Sequence, residues 1–485
     1  MGAPSDVAWL PWTLLIPLLA AVLAFLLDAR ARRALTLLSV AALIVCVAGL
    51  AWQVWRGGPQ THHIGGWGAP LGIDLYADGL SVLMLLMSAA VSAPVSYYAL
   101  GYFMQRREAR HFWPLFWFLW AALNALFLSA DLFNLYVTLE LLGLAAVALV
   151  TLAVDVKALR AGLRYLLAAL SGSLLYLMGV ALLYGAYGTL ALSELAALRA
   201  PTPAAWLAAA LMSAGLLLKT ALFPLHFWLP AAHGGAHAPV SALLSGLVIK
   251  ASFYLLLRLW LDVFPAAPLH ATQLLGLLGG AAIVYGSVMA LRARRLKMLV
   301  AWSTVAQIGY LFLLFPLALD DAVDAYRGGV YQALAHALAK AAMFLAAGCI
   351  AYTMGTDQIE QLGGVTAQRP VSVFAFALAG VSIMGLPPSG GFIAKWLLMQ
   401  SAVTGGQWWW AVVIIAGGLL SAAYVFRVLR YAFLSAPPDA RYHALPHRME
   451  WPALLLALGA TALGLNATGV LALLDAGAPL TRVAP

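Results

Sequence analysis

Fourteen apolar stretches run through this sequence, each near the roughly 20 residues that an α-helix needs to cross about 30 Å of hydrocarbon. They lie at 9–27, 34–55, 76–101, 112–130, 132–154, 162–187, 204–229, 238–262, 269–291, 298–319, 328–353, 371–403, 408–434 and 451–474. Within lipid, backbone N–H and C=O groups must be paired inside the segment, so such stretches have to be helices. The fold class is an all-α polytopic membrane protein, and the 485 residues leave no room for a soluble domain or a low-complexity linker. No basic region precedes the first stretch and no small-residue cleavage site follows it. It therefore reads as a spanning helix and not as a removable signal.

Only 9% of the residues are charged, and their placement is uneven. Eighteen of the 27 lysines and arginines fall in the odd-numbered connections: Arg30, Arg32, Arg33, Arg106, Arg107, Arg110, Lys157, Arg160, Arg164, Arg292, Arg294, Arg295, Lys297, Arg369, Arg427, Arg430, Arg441 and Arg448. The opposite side holds Arg56, Arg199, Arg258, Arg327 and Arg482. Cytoplasmic loops carry the basic excess. This predicts a multi-pass protein of the cell's inner membrane with both termini outside the cytoplasm. Despite a net charge of +9, basic residues scattered over short loops form no stripe for nucleic acid. The lipid bilayer is the partner they imply.

Four lysines and one carboxylate break the rule that charge stays at segment ends: Glu140, Lys219, Lys250, Lys340 and Lys395. Each costs at least about 2.5–3.5 kcal/mol near the bilayer centre. At 1.5 Å per residue, Glu140, Lys219, Lys250 and Lys340 sit at depths on the order of 12–23 Å, in the middle of the membrane. Groups at one depth on different helices describe a lateral row and not a transmembrane pore.

Two of these lysines accompany helix breaks. Pro224 follows Lys219 by five residues, and Pro387, Pro388, Gly390 and Gly391 precede Lys395. Proline removes a backbone donor and clashes with the preceding turn, so spans seven and twelve must be interrupted. Freed carbonyls at that depth survive only in protein or in a wet cavity. The two spans are five apart and run in opposite directions, with the order of lysine and break reversed. That pattern predicts two inverted five-helix repeats, helices 4–8 and 9–13, with helices 7 and 12 broken. The chain then divides into 1–111, 112–262, 269–434 and 435–485.

The segments that carry these features are DLFNLYVTLE at 131–140, KTALFPLHFWLP at 219–230, APVSALLSGLVIK at 238–250, STVAQIGY at 303–310, HALAK at 336–340 and GLPPSGGF at 385–392. Together they resemble the antiporter-like, proton-conducting membrane subunits shared by respiratory complex I, Mrp-type sodium/proton antiporters and membrane-bound hydrogenases. The resemblance covers about residues 75 to 430. It implies fourteen helices, paired inverted repeats, and a proton path through Glu140, Lys219, Lys250, His336 with Lys340, and Lys395. Lys250 is similar to the Mrp D-type and hydrogenase branches, whereas the His336 and Lys340 spacing is similar to the distal complex I subunit. The long lateral helix of that subunit is not expected in the sequence up to Pro485, so the branch stays open.

On this reading an ionised Glu140 favours the ammonium form of Lys219, and its withdrawal lets desolvation expel the proton. Lys250 is the central relay, His336 and Lys340 share one helix face four residues apart, and Lys395 is the exit. The bland alternatives are a hydrogen-bonded structural carboxylate for Glu140 and a packed cation facing carbonyls for Lys250. His226, His233 and His237 follow span seven without the carboxylate or cysteine partners of a metal site. His226 and His233 are read as a proton inlet, and no metal is expected. Cys46 and Cys349 are too few for an iron–sulfur cluster, and no dinucleotide fingerprint or haem-type histidine pair occurs. No cofactor is expected, and the chain is not expected to be catalytic alone. Expected partners are other membrane subunits, protons and, as alternative cargo, sodium ions. An autonomous secondary ion transporter, or less readily a membrane quinone reductase, are the competing functions.

Overall fold

The computed structural model of the chain describes residues 8–69, 72–104, 106–198, 202–264, 269–436 and 441–476. Arg199 and Arg482, two of the basic residues assigned to the outer side, lie outside the described residues. Twelve described helices are long and apolar enough to cross a membrane: Trp9–Leu26, Ala29–Gly57, Gly79–Tyr102, Ala109–Leu128, Leu132–Ala153, Val156–Tyr187, Pro203–Thr220, Ala238–Val263, Leu269–Arg292, Leu296–Leu317, Ala322–Met354 and Trp408–Ala432. They correspond to spans one to eleven and thirteen. Span twelve is split into Pro370–Met384 and Gly390–Thr404. Span fourteen is the pair Glu450–Leu465 and Ala467–Leu474, bent by 80°. The chain is an all-helical multi-pass membrane protein.

Hydropathy alone misplaces some helix starts. Spans six and eleven begin at Val156 and Ala322, earlier than the apolar runs at 162 and 328, because Asp155 and Asp321 accept the N–H of Ala158 and Asp324 and cap a polar first turn. Span four begins at Ala109, so the expected boundary at 111 cuts into it. Span three starts at Gly79 and not at 76. The residues before it, Asp74–Ala77, pair antiparallel with Gln60–His63 in a two-stranded ribbon that periodicity did not suggest.

Spans eight, ten and eleven are the interior of the bundle. The most apolar window of span eight is wholly buried, and those of spans ten and eleven nearly so, whereas spans one, two and thirteen turn most of theirs outward. Spans four and five pack together, as do nine and ten, six and seven, and eleven with both halves of twelve. Small residues allow the closest approaches. A Cβ on Gly215 of span seven would lie 2.2 Å from the carbonyl oxygen of Gly172 of span six.

A buried ion pair joins the ends of spans three and eight on the face opposite the basic loops. Asp78 caps span three through the Ser81 N–H at 2.9 Å and also takes Arg258 bidentately, Nη1 at 2.7 Å and Nη2 at 2.5 Å. The Tyr254 hydroxyl accepts Arg258 Nε–H at 3.1 Å and donates to the Phe127 carbonyl at 2.8 Å. Arg258, expected among the loop charges of that face, is a buried helix residue.

Candidate functional site: a buried row of amines

The first half of span seven ends at Thr220. Ala221 then adopts a left-handed conformation (φ 59°, ψ 40°) and begins the interruption at 221–228, which contains Pro224. A proline disfavours helical conformation in the residue before it, so the helix stops short of Pro224 itself. The carbonyl of Leu218 accepts the indole N–H of Trp228 at 2.9 Å. The break is thus satisfied within protein, as its depth demands.

Lys219 occupies the last turn before this break, and its Nζ stands 3.5 Å from Oε1 of Glu140 on span five. The lysine side chain is 8% exposed and the glutamate 21%, so the pair lies just inside the bundle. Gly172 makes room for the lysine stem, since a Cβ there would lie 3.0 Å from Lys219 Cγ. A cavity of about 20 Å³, lined by Lys219, Gly143, Tyr165 and Ser252, adjoins the pair, enough for about one water. At 3.5 Å the contact is long for a hydrogen bond.

Ser252 leads to span eight. It accepts the Thr220 hydroxyl at 2.9 Å, and Lys250 lies two residues earlier. A wide π-turn, Leu244–Val248, loosens the helix there, and fully buried Lys250 folds its ammonium back onto the carbonyl of Ser245. The Ser245 hydroxyl meets Thr304 Oγ1 of span ten at 2.9 Å, and Thr304 donates to the Val300 carbonyl at 3.1 Å. That same carbonyl and Ser303 Oγ, each at 2.5 Å, accept from Lys340 of span eleven. Lys340 therefore rests directly on span ten, and Lys250 is tied to the same patch through Ser245 of its own span. Carbonyls accept but cannot pass on a proton, so these contacts hold the amines and do not themselves relay between them.

Span twelve mirrors span seven. Its first half ends at Met384 with Gly385 left-handed (φ 85°). Its second half opens on Ser389, whose hydroxyl oxygen accepts the Phe392 N–H at 3.2 Å. Lys395 donates to the freed carbonyls of Ile383 and Met384, at 2.8 and 3.1 Å, and lies 4.3 Å from the centroid of the Tyr310 ring. Gly391 is required where the halves meet, because a Cβ would fall 1.9 Å from the Ser382 carbonyl oxygen. Gln307 Nε2 donates to Ile383 O at 3.4 Å and to Ser421 Oγ at 3.3 Å, while its Oε1 accepts from Gln332 at 3.0 Å. Val300, Ser303, Thr304, Gln307 and Tyr310, at helical spacing, thus form one polar face from Lys340 to Lys395.

The histidines divide. His336 is buried with both ring nitrogens unpartnered, within Coulomb reach of Lys250, Lys340 and Lys395. His233, in the short helix Leu229–Gly235, is equally buried and unpartnered, stacks on Phe344, and feels Lys297, Lys340 and Lys250. His226 is not brought to the row; it sits among Phe223, Tyr285 and Trp302. His237 bonds Tyr102 instead. Reasoning from sequence gave no role to Ser245, Ser252, Ser303, Thr304, Gln307 and Gln332. One signal was available: Gln332, His336 and Lys340 fall at i, i+4 and i+8 of span eleven.

Two interrupted spans flanking a buried row of amines define an antiporter-like polytopic membrane protein. Residues 129–421 match the family described as NADH:quinone oxidoreductase/Mrp antiporter, TM, and the chain belongs to this family. It is 36% identical over 483 residues to NADH-quinone oxidoreductase subunit N of Desulforudis audaxviator, covering 93% of this chain and 95% of the relative. It is 29% identical over 405 residues to the D-type subunit of the Na(+)/H(+) antiporter of Alkalihalophilus pseudofirmus, covering 83% and 82%. Among solved structures, a chain of the Mrp complex from Dietzia sp. superposes with a TM-score of 0.89 at 25% identity, over 97% of both chains. A chain of respiratory complex I from Thermus thermophilus gives 0.77 at 27% identity, over 97% of this chain and 100% of the other.

Proposed function

We propose that this chain is the ion-translocating subunit of a multi-subunit cation/proton antiporter or complex I-like assembly, and that protons move along Glu140, Lys219, Lys250, His336, Lys340 and Lys395. The observation that carries the reading is that ionisable groups from five separate spans all turn into the bundle and meet along one polar band. In an ordinary membrane helix packing such groups would be absent. The basic excess supports a cytoplasmic-membrane protein with both termini outside the cytoplasm. His233 is the inlet, because Lys297 at the basic face and Lys340 and Lys250 of the row are all within Coulomb reach of it. His226 stands aside from that route.

Charge at Glu140 is the switch. While the carboxylate is near, Coulomb attraction holds the Lys219 ammonium. When the pair parts, the amine hands its proton by way of the small cavity, Thr220 and Ser252 toward Lys250. His336 serves Lys250, Lys340 and Lys395, and Lys395, seated on the broken span, releases. The relatives named as Na(+)/H(+) antiporter subunits support sodium as the exchanged ion. The test is proton transport by the reconstituted assembly with Glu140→Gln or Lys219→Ala. Both should lower transport by at least about tenfold, the worth of a lost charge-assisted contact, with insertion and assembly intact. Transport that persists in both variants would refute the path.

A further inference from the structure

A cavity of about 550 Å³ opens on the face that carries the basic loops, between the end of span three, the joint of spans seven and eight, the start of span ten and the end of span eleven. Volumes of this size take small ligands. Its wall holds Arg106, Arg295, Lys297 and His237 against one carboxylate among the described residues, Asp357. Asp357 is already engaged, since both its oxygens accept from Arg295 Nε, at 2.8 and 3.0 Å.

Arg106 and Lys297 have no ion-pair partner among the described residues. The guanidinium of Arg106 lies 4.5 Å from the Tyr102 ring centroid, and Lys297 donates to the Ala236 carbonyl. Asp357 lies within Coulomb reach of Lys297, yet three basic side chains face one carboxylate on this wall, and the net field favours an anion. His237 registers that field. Burial first, then Arg106 and Lys297, push its pKa down to about 4, against Glu108 and Asp155, which pull the other way. Its Nδ1 lies 3.2 Å from the Tyr102 hydroxyl, and its buried Nε2 has no partner. With Tyr102 donating to Nδ1, the neutral ring carries its proton on Nε2.

We infer that this cavity binds a phosphate group, held by the Arg106 guanidinium, the Lys297 ammonium and the His237 Nε2–H. Phosphate fits because it offers acceptor oxygens on several sides, suiting one planar fork and one point charge together. Its source is either inorganic phosphate or the headgroup of an anionic phospholipid in the adjoining leaflet. The site is separate from the row of amines and does not depend on the proton path.

The experiment uses the full chain, purified in uncharged detergent and titrated with inorganic phosphate by 31P NMR and thermal unfolding. The same chain is then compared in phosphatidylcholine nanodiscs with and without phosphatidylglycerol. Saturable binding, weakened about tenfold or more by Arg106→Gln or Lys297→Gln and unchanged by Arg107→Gln, whose exposed side chain is off the wall, supports the site. Binding of inorganic phosphate identifies a soluble anion. Stabilisation by phosphatidylglycerol alone, with the same dependence on Arg106 and Lys297, identifies a headgroup. Neither effect, or effects indifferent to both substitutions, overturns the inference. Should a variant misfold, the 15N shifts of the His237 ring in the unaltered chain decide: no movement with either phosphate source also overturns it.

Discussion

His237 shows at the scale of one residue what the bundle does to a charge. Its native pKa of about 4 lies below the ordinary histidine value of 6.5, so between these values an unfolded chain takes up a proton that the native one refuses. The stability it contributes is whole above pH 6.5, falls as pH drops toward 4, and is constant below. Arg106→Gln should raise this pKa and narrow the window, as 15N NMR titration of the ring would record. At the row itself, Ser303→Ala removes one of two acceptors of Lys340 and leaves the Val300 carbonyl. About 1 kcal/mol is at stake, so transport in vesicles should slow roughly fivefold without loss of assembly. The lysines and Glu140 were legible in the sequence because a charge inside an apolar run has no cheap explanation. The hydroxyls were not, because a serine or threonine in a membrane helix can bond its own preceding turn, as Thr220 does to Leu216 O at 2.7 Å. Nothing in their spacing tells which of them also reaches a neighbouring span.

At the scale of the element, the two breaks were legible because proline and paired glycines announce them. The π-turn at Leu244–Val248 and the 80° bend before Ala467 were not, since no residue type marks a widened turn, and Asn466 is a weak breaker beside proline. Deleting Leu247 should convert the wide turn to regular helix and tie up the backbone carbonyls it loosens, that of Ser245 among them, which now holds the Lys250 ammonium. The expected result is a chain that still inserts, with unchanged helical circular dichroism, but no longer transports. Substituting Gly391→Ala places a methyl against the Ser382 carbonyl and should cost about 1–3 kcal/mol as overpacking, read as a lower unfolding temperature. Gly185→Ala, with open space around it, should do no harm.

For the molecule as a whole, the Asp78–Arg258 pair clamps spans three and eight on the face away from the basic loops; removing Arg258 strips buried Asp78 of its cation, and removing Asp78 leaves Arg258 the longer contact to Asp262 at 3.4 Å. Asp78→Asn or Arg258→Met alone should destabilise by about 3–5 kcal/mol, while the apolar double variant Asp78→Leu with Arg258→Leu should lose less than the two single costs together. Unfolding in denaturant would measure all of these. This clamp was hidden in the sequence because its members stand 180 residues apart, one at a helix start and the other near the end of an apolar run, where a lone arginine reads as a loop charge. The wider arrangement of spans was readable because hydropathy and the lipid thickness fix it almost without help from tertiary contacts. Along the row, four amines share one carboxylate. Lys250 lies within Coulomb reach of Lys340, and like charges in a low-dielectric interior repel, so filling every seat at once is opposed. On the proposed path, traffic in such a file would be set by its vacancies: each proton leaving at Lys395 would open a gap, and the gap would travel back toward Glu140 as an empty place moves backward through a queue.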